Sequence, residues 1–181
     1  AATDGSFRQW RNSESQVITS SAGRYAVAFS DDGSLAAWGD REGKIHWWDS
    51  RKRGPVKRYT TPNSSAVSSL SLSRDSLSLY ATHKDGSAYE LNLDRGSMVR
   101  TLDTRTRTSK VTALTPLTGS RIAVARGHLL SLLDTTTMGP TTSPLSGHLD
   151  AIHHLLYDSL VDECFTAGLD EQILCWKTAP K

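Results

Sequence analysis

The sequence predicts an all-β fold in which similar four-stranded antiparallel units repeat around an axis, a β-propeller. Three observations predict it. Four times a short strand ends in a Trp-Asp pair or an apolar-polar substitute, at Trp48-Asp49, Leu91-Asn92, Leu133-Asp134 and Trp176-Lys177. The steps between these slots are 43, 42 and 43 residues, the length of one blade. Between the slots, period-2 alternation is punctuated by Asp and Gly roughly every eight to twelve residues, the mark of short antiparallel strands.

Each unit can be justified in order. Residues 1–20 form a partial blade, with Asp4-Gly5 at a turn and Trp10-Arg11 as a fifth slot one slightly short step upstream. Residues 21–62 form a blade. The alternating strand Tyr25 to Ser30 leads through Asp31-Asp32-Gly33 into Ser34 to Gly39, then into Lys44 to Asp49, and a fourth strand runs from about Pro55 to Thr60 with the proline at its start. Residues 63–106 repeat the plan with Val67 to Leu72, Ser78 to Thr82 and Ser87 to Leu91. There Lys84-Asp85-Gly86 supplies the positive backbone dihedrals of a tight hairpin. Residues 107–146 carry Val111 to Leu114, Arg121 to Ala125 and Leu129 to Asp134. Residues 147–181 carry Ala151 to Leu156, Cys164 to Gly168 and Gln172 to Trp176, with too little chain afterwards for an outer strand. Only Leu155 to Asp162 invites a helix, and it is too short. The beat therefore starts and stops in mid-blade, which implies about four blades of a longer ring or a propeller completed by another chain, because open sheet edges are normally paired or covered.

Composition narrows the function classes. The chain of 181 residues has a net charge of +2, with no strong pull toward nucleic acid or a membrane surface. No apolar run approaches the roughly 20 residues of a membrane span, and the start lacks the pattern of a signal peptide. Two cysteines are too few for a disulfide-stapled fold and point to a reducing, intracellular setting, cytoplasmic or nuclear.

The last unit carries a family resemblance. Gly147-His148 precedes its first strand, Thr166 lies in the second, Asp170 follows in the hairpin and Trp176 closes the third. This resembles the WD-repeat (WD40) β-propellers, in which such a His, Ser/Thr, Asp and Trp form a hydrogen-bonded tetrad tying an outer strand to an inner hairpin. The resemblance implies a structural role for His148, Thr166, Asp170 and Trp176. A buried carboxylate needs donors, and imidazole, indole and hydroxyl supply them. The other units depart from the pattern. The first has Trp38 and Glu42 in the Thr and Asp slots, the second keeps Asp85 but has Ala81 and Leu91, and the third has neither Asp nor Trp. These units are expected to rely on apolar packing between sheets.

No nucleophile-elbow, phosphate-loop, zincin or Cys-x-x-Cys pattern is present, so no catalysis, cofactor, metal or small-molecule substrate is expected. His148, His153 and His154 cluster in sequence, but the first belongs to the tetrad and neighbouring strand residues face opposite sides. Cys164 and Cys175 read as free thiols, with a cross-strand disulfide possible only in the right register. Trp10, Trp38 and Trp47 are expected between blades, with a role for one of them as an interface anchor at a rim or central opening as the alternative, and Asn63-Ser64-Ser65 reads as a polar loop. Arg51, Lys52, Arg53, Lys57, Arg58, Arg105, Arg107 and Lys110 would line the rim. They suit solubility or, alternatively, phosphate contacts to RNA with little base specificity. The expected function is a non-catalytic protein-interaction scaffold whose partners are other protein subunits, possibly completing the propeller. The alternative is an RNA-associated propeller in a ribonucleoprotein.

Overall fold

Seventeen β-strands and no helix are found among the described residues of the computed structural model, which are 6–11, 14–20, 24–52, 56–102, 110–137 and 139–178. Strands β1 (Ser6–Arg11) and β2 (Glu14–Ser20) pair as a two-stranded sheet. The turn expected at Asp4-Gly5 lies outside the described residues. The first four-stranded sheet contains β3 (Arg24–Phe29), β4 (Leu35–Asp40), β5 (Lys44–Asp49) and β6 (Lys57–Thr60), in that order. The second contains β7 (Val67–Leu72), β8 (Ser78–His83), β9 (Ala88–Asn92) and β10 (Ser97–Leu102). The third contains β11 (Val111–Pro116), β12 (Arg121–Arg126), β13 (Leu129–Asp134) and a two-residue β14 (Leu145–Ser146). The last is the three-stranded sheet β15 (Ile152–Asp158), β16 (Glu163–Gly168) and β17 (Ile173–Lys177). All pairings between consecutive strands are antiparallel.

The sheets form a propeller. Inner strands β3, β7, β11 and β15 are successive neighbours, and all four line one central cavity of about 740 Å³. The repeat extends to an irregularity. In each of the four larger sheets the register slips at the start of the inner strand, between Arg24 and Ala26, Val67 and Ser69, Val111 and Ala113, and Ile152 and His154. A bulge of this kind bends a strand and increases its twist. The turns at Gly33 (φ +66°) and Gly86 (φ +89°) use left-handed backbone, as Asp-Gly sequences at tight turns favour.

Alternation explains the packing, since each sheet sends one set of side chains forward and the other back. Ala37, Ile45 and Trp47 of the first sheet meet Val67, Leu70 and Leu79 of the second. Tyr80, Ala88 and Leu102 of the second meet Val111, Leu114 and Ile122 of the third. Ala123, Leu130 and Leu132 of the third meet Ile152, Cys164 and the half-buried Trp176 of the last. The first contact is so close that a Cβ on Gly39 would overlap the Val67 side chain.

The consecutive Trp47 and Trp48 face opposite sides, as period 2 requires. Trp47 joins the core shared with the second sheet, while Trp48 packs against Ala36 and the fully buried Trp38 on the other face. The side chain of Trp10 lies outside the described residues.

Candidate interaction surfaces

The four tetrad residues lie within hydrogen-bonding distance in sequence. Trp176 Nε1 donates to Thr166 Oγ1 (2.8 Å), Thr166 Oγ1 lies 2.7 Å from His148 Nε2, and His148 Nδ1 lies 2.9 Å from both Asp170 oxygens. A carboxylate only accepts, so Nδ1 carries the proton, and a neutral ring then accepts from the Thr166 hydroxyl at Nε2. Asp170 also accepts from the backbone N–H groups of Leu149 (2.8 Å) and Gln172 (3.2 Å). Desolvation works to raise the Asp170 carboxyl, but the Leu149 N–H and the His148 ring outweigh it and hold the group below its ordinary range. Gly168 makes this possible, because a Cβ there would lie 2.6 Å from Asp170 Oδ1 and 2.7 Å from His148 Nδ1.

The second sheet does not rely on apolar packing alone, contrary to the expectation from its missing Thr and Trp. Asn63 precedes Val67 by the interval at which His148 precedes Ile152, and it takes the histidine's part. Tyr89 Oη donates to Asn63 Oδ1 (2.5 Å), and Asn63 Nδ2 donates to the Asp85 carboxylate and to Ser87 Oγ (2.8 Å). Ser87 closes the turn onto Asp85 through its N–H (3.0 Å) and hydroxyl (2.7 Å). The Asn63-Ser64-Ser65 stretch is thus a structural polar loop. The first sheet uses a third arrangement, in which Asp40 accepts from the N–H groups of Glu42 and Lys44 (both 2.9 Å) and faces His46 Nε2 at 3.1 Å. His46 in turn stacks on Trp38, with centroids 5.6 Å apart and planes 5° from parallel.

Five of the eight basic rim residues lie among the described residues. Arg53, Arg105 and Arg107 lie outside the described residues. Arg51 clasps Asp49 through two nitrogens (3.0 and 3.1 Å) and lies 3.6 Å from Asp32, while Lys52 lies 3.8 Å from Asp49 and 4.0 Å from Asp94. The Arg51 guanidinium holds the Asp49 carboxyl below its usual range. Asp32 is held down chiefly by the Ser30 hydroxyl, with smaller contributions from Ser34 and Arg51. Lys57, Arg58 and Lys110 are exposed.

The cysteines cannot pair. Cys164 stands opposite Trp176 and Cys175 opposite Phe165, so the two thiols point to opposite faces of one sheet. Burial pushes the Cys164 thiol up to about 12. His153 and His154 are both exposed, and no group of three metal-ligating side chains occurs among the described residues.

A surface that sequence reasoning missed lies on the last sheet. Register equates Ile173 with Ile45, Ala88 and Leu130, which are each 0% exposed beneath the following sheet, whereas Ile173 is 76% exposed. Cys175 likewise corresponds to Trp47, Glu90 and Leu132, all buried, and Leu156 beside them is 67% exposed. Leu149, Leu160, Val161 and Leu169 add exposed apolar side chains in the adjoining turns. The signal was legible in retrospect as Leu156, Phe165 and Ile173 alternating out of phase with the tetrad.

No family model matches the chain, and no curated protein matches it. The fold and the local chemistry therefore carry the functional argument.

Proposed function

We propose that this chain is WD-repeat propeller structure acting as a non-catalytic scaffold for protein subunits of a larger assembly. One observation carries the reading, the apolar face of the last sheet whose counterparts in the three preceding sheets are each buried under another sheet. A contiguous apolar face in water is unfavourable, and on natural proteins such patches mark interaction sites. The tetrad of His148, Thr166, Asp170 and Trp176 supports the WD-repeat assignment. The RNA reading has less to stand on, because Arg51 and Lys52 already hold aspartates.

The test replaces Leu156 and Ile173 together by aspartate in the protein expressed in its own cells. Both side chains are mostly in water, so the isolated variant melts as the parent does. Stoichiometric protein partners recovered with the parent are lost from the variant. Recovery of an identical partner set, or of no stoichiometric partner with the parent, refutes the scaffold reading.

A further inference from the structure

The outer edge of the last sheet is open. In the first three sheets the third strand pairs outward, β5 with β6, β9 with β10 and β13 with β14, whereas β17 has no strand beyond it among the described residues. The phase of its backbone follows from the two bonds that bracket it. Gly168 N–H donates to the Gln172 carbonyl (3.2 Å), and Thr178 N–H donates to the Asp162 carbonyl (3.1 Å). Successive residues of a strand turn their backbone groups to opposite sides, so Gln172, Leu174, Trp176 and Thr178 address β16. Ile173, Cys175 and Lys177 therefore turn their N–H and C=O groups to the free edge.

Natural edge strands are guarded by charge, proline or a bulge. β17 has little of this. It contains no proline, its pairs with β16 run without a slip, and its one charged residue is Lys177 at the end. The edge is instead complementary to itself. Two copies of β17 set antiparallel about a two-fold axis at Cys175 place that residue opposite its own copy and Ile173 opposite Lys177. No like charges then stand opposite one another, and Glu171, in the β16–β17 turn two residues before Ile173, lies at the strand end nearest the other copy's Lys177. The registers also line up one apolar row across the axis, in which Leu156, Phe165 and Cys175 of one copy are followed by Cys175, Phe165 and Leu156 of the other.

We propose that a second copy of this chain docks on β17 in this register, joining the three-stranded last sheets of the two copies into one continuous sheet. Each facing pair exchanges both of its N–H···O bonds, which satisfies the edge groups of Ile173, Cys175 and Lys177. The contact is isologous and closes at two copies. It goes beyond the scaffold reading, because it uses the edge of the sheet and leaves the Leu156 and Ile173 face, doubled in width, open to other subunits.

The test is sedimentation equilibrium of the purified chain over a concentration series under reducing conditions, where the parent forms a species of twice the chain mass. Facing Cys175 residues stand about 5.5 Å apart at Cα, within the reach of a disulfide, so oxidation with copper–phenanthroline links the parent dimer and leaves Cys175→Ala unlinked. Cys175→Pro removes an N–H that only the second copy uses, and Cys175→Glu sets like charges opposite each other. Each weakens dimerisation at least about tenfold. The Cys175 side chain is exposed, and an unchanged melting temperature verifies that the variants fold. Leu156→Asp with Ile173→Asp keeps the dimer, since Leu156 lies off the edge and the added carboxylate at position 173 faces Lys177. A monomeric parent, a parent dimer that oxidation does not link, or a dimer that survives Cys175→Glu overturns the proposal. Loss of the dimer in the Leu156 and Ile173 variant also overturns it and shows the two copies stacked by their open faces. If the parent is monomeric while that variant still loses its partners in cells, the scaffold reading stands without the dimer.

Discussion

The last sheet and the second sheet meet the same structural demand with different chemistry. In each, the hairpin between the second and third strands carries an aspartate, Asp170 or Asp85, that must be tied to the segment entering the first strand. The last sheet runs its tie from Trp176 through Thr166 and His148 to Asp170. The second runs from Tyr89 through Asn63 to Asp85, one link shorter. The slot beside the aspartate changes in step. It is Gly168 where the long imidazole must fit and His83 where the shorter asparagine leaves room. What these two sheets hold in common is a donor chain ending on a carboxylate, not the four residue types.

The comparison can be broken most severely at Asp170. Asp170→Ala leaves the Leu149 and Gln172 N–H groups and the His148 Nδ1 without their acceptor. A loss on the order of 10 °C in melting temperature, followed by circular dichroism, is expected. Asp85→Ala costs less, because Asp85 is exposed and Asp170 is not. If the two losses are equal, burial is not what separates the two ties. Next in size is Gly168→Ala, expected to destabilise by about 2 kcal/mol through overlap with His148 and Asp170. His148→Asn in the same molecule should recover part of that loss in urea unfolding, and absence of recovery would refute the coupling between the two slots. Tyr89→Phe removes the first donor of its chain at nearly constant shape, with a loss of about 1 kcal/mol in urea unfolding.

The smallest effect concerns pH. Burial holds the His83 imidazole below its ordinary value, against smaller upward pulls from Asp85 and from the backbone of Gly43 and Ser87. The unfolded chain therefore takes up this proton first. His83 is no handicap above about pH 6.5, and stability falls as pH drops below that value toward the folded one. Asp32, Asp49, Asp85, Asp134, Asp162 and Asp170 are each held below the usual carboxylate range and lie outside this window. Melting temperatures between pH 7.5 and 5 should fall more steeply for the parent than for His83→Phe, and parallel profiles would remove His83 as the cause.

Much of the architecture could be read from the chain because its determinants are local. Period-2 alternation, Asp-Gly turns and the spacing of the Trp-Asp slots each depend on residues a few positions apart. The complete tetrad was legible for the same reason, since His148, Thr166, Asp170 and Trp176 match a known pattern. The Asn63–Asp85 tie was not, because an asparagine in a Ser-rich loop looks like any polar turn until its register against Val67 is known. Nor were the ion pairs of Arg51 and Lys52, which bring together Asp49 at the end of β5 with Asp32 and Asp94 from two separate turns. The open face of the last sheet escaped because sequence reports that a side chain is apolar, while only the packing of neighbouring sheets reports whether anything covers it.

The bulge at the start of every inner strand has a consequence for tolerance to change. The third sheet joins its second and third strands with a shorter turn than its neighbours, pairing Arg126 directly with Leu129. Even so, β15 of the following sheet enters with the same slip as β3, β7 and β11. Each repeat thus resets its own alignment at its first strand, and a length change in one hairpin is not passed to the next. Insertions at these turns should be absorbed where they occur, leaving the positions of distant contact surfaces free to drift in sequence while the frame stays in step.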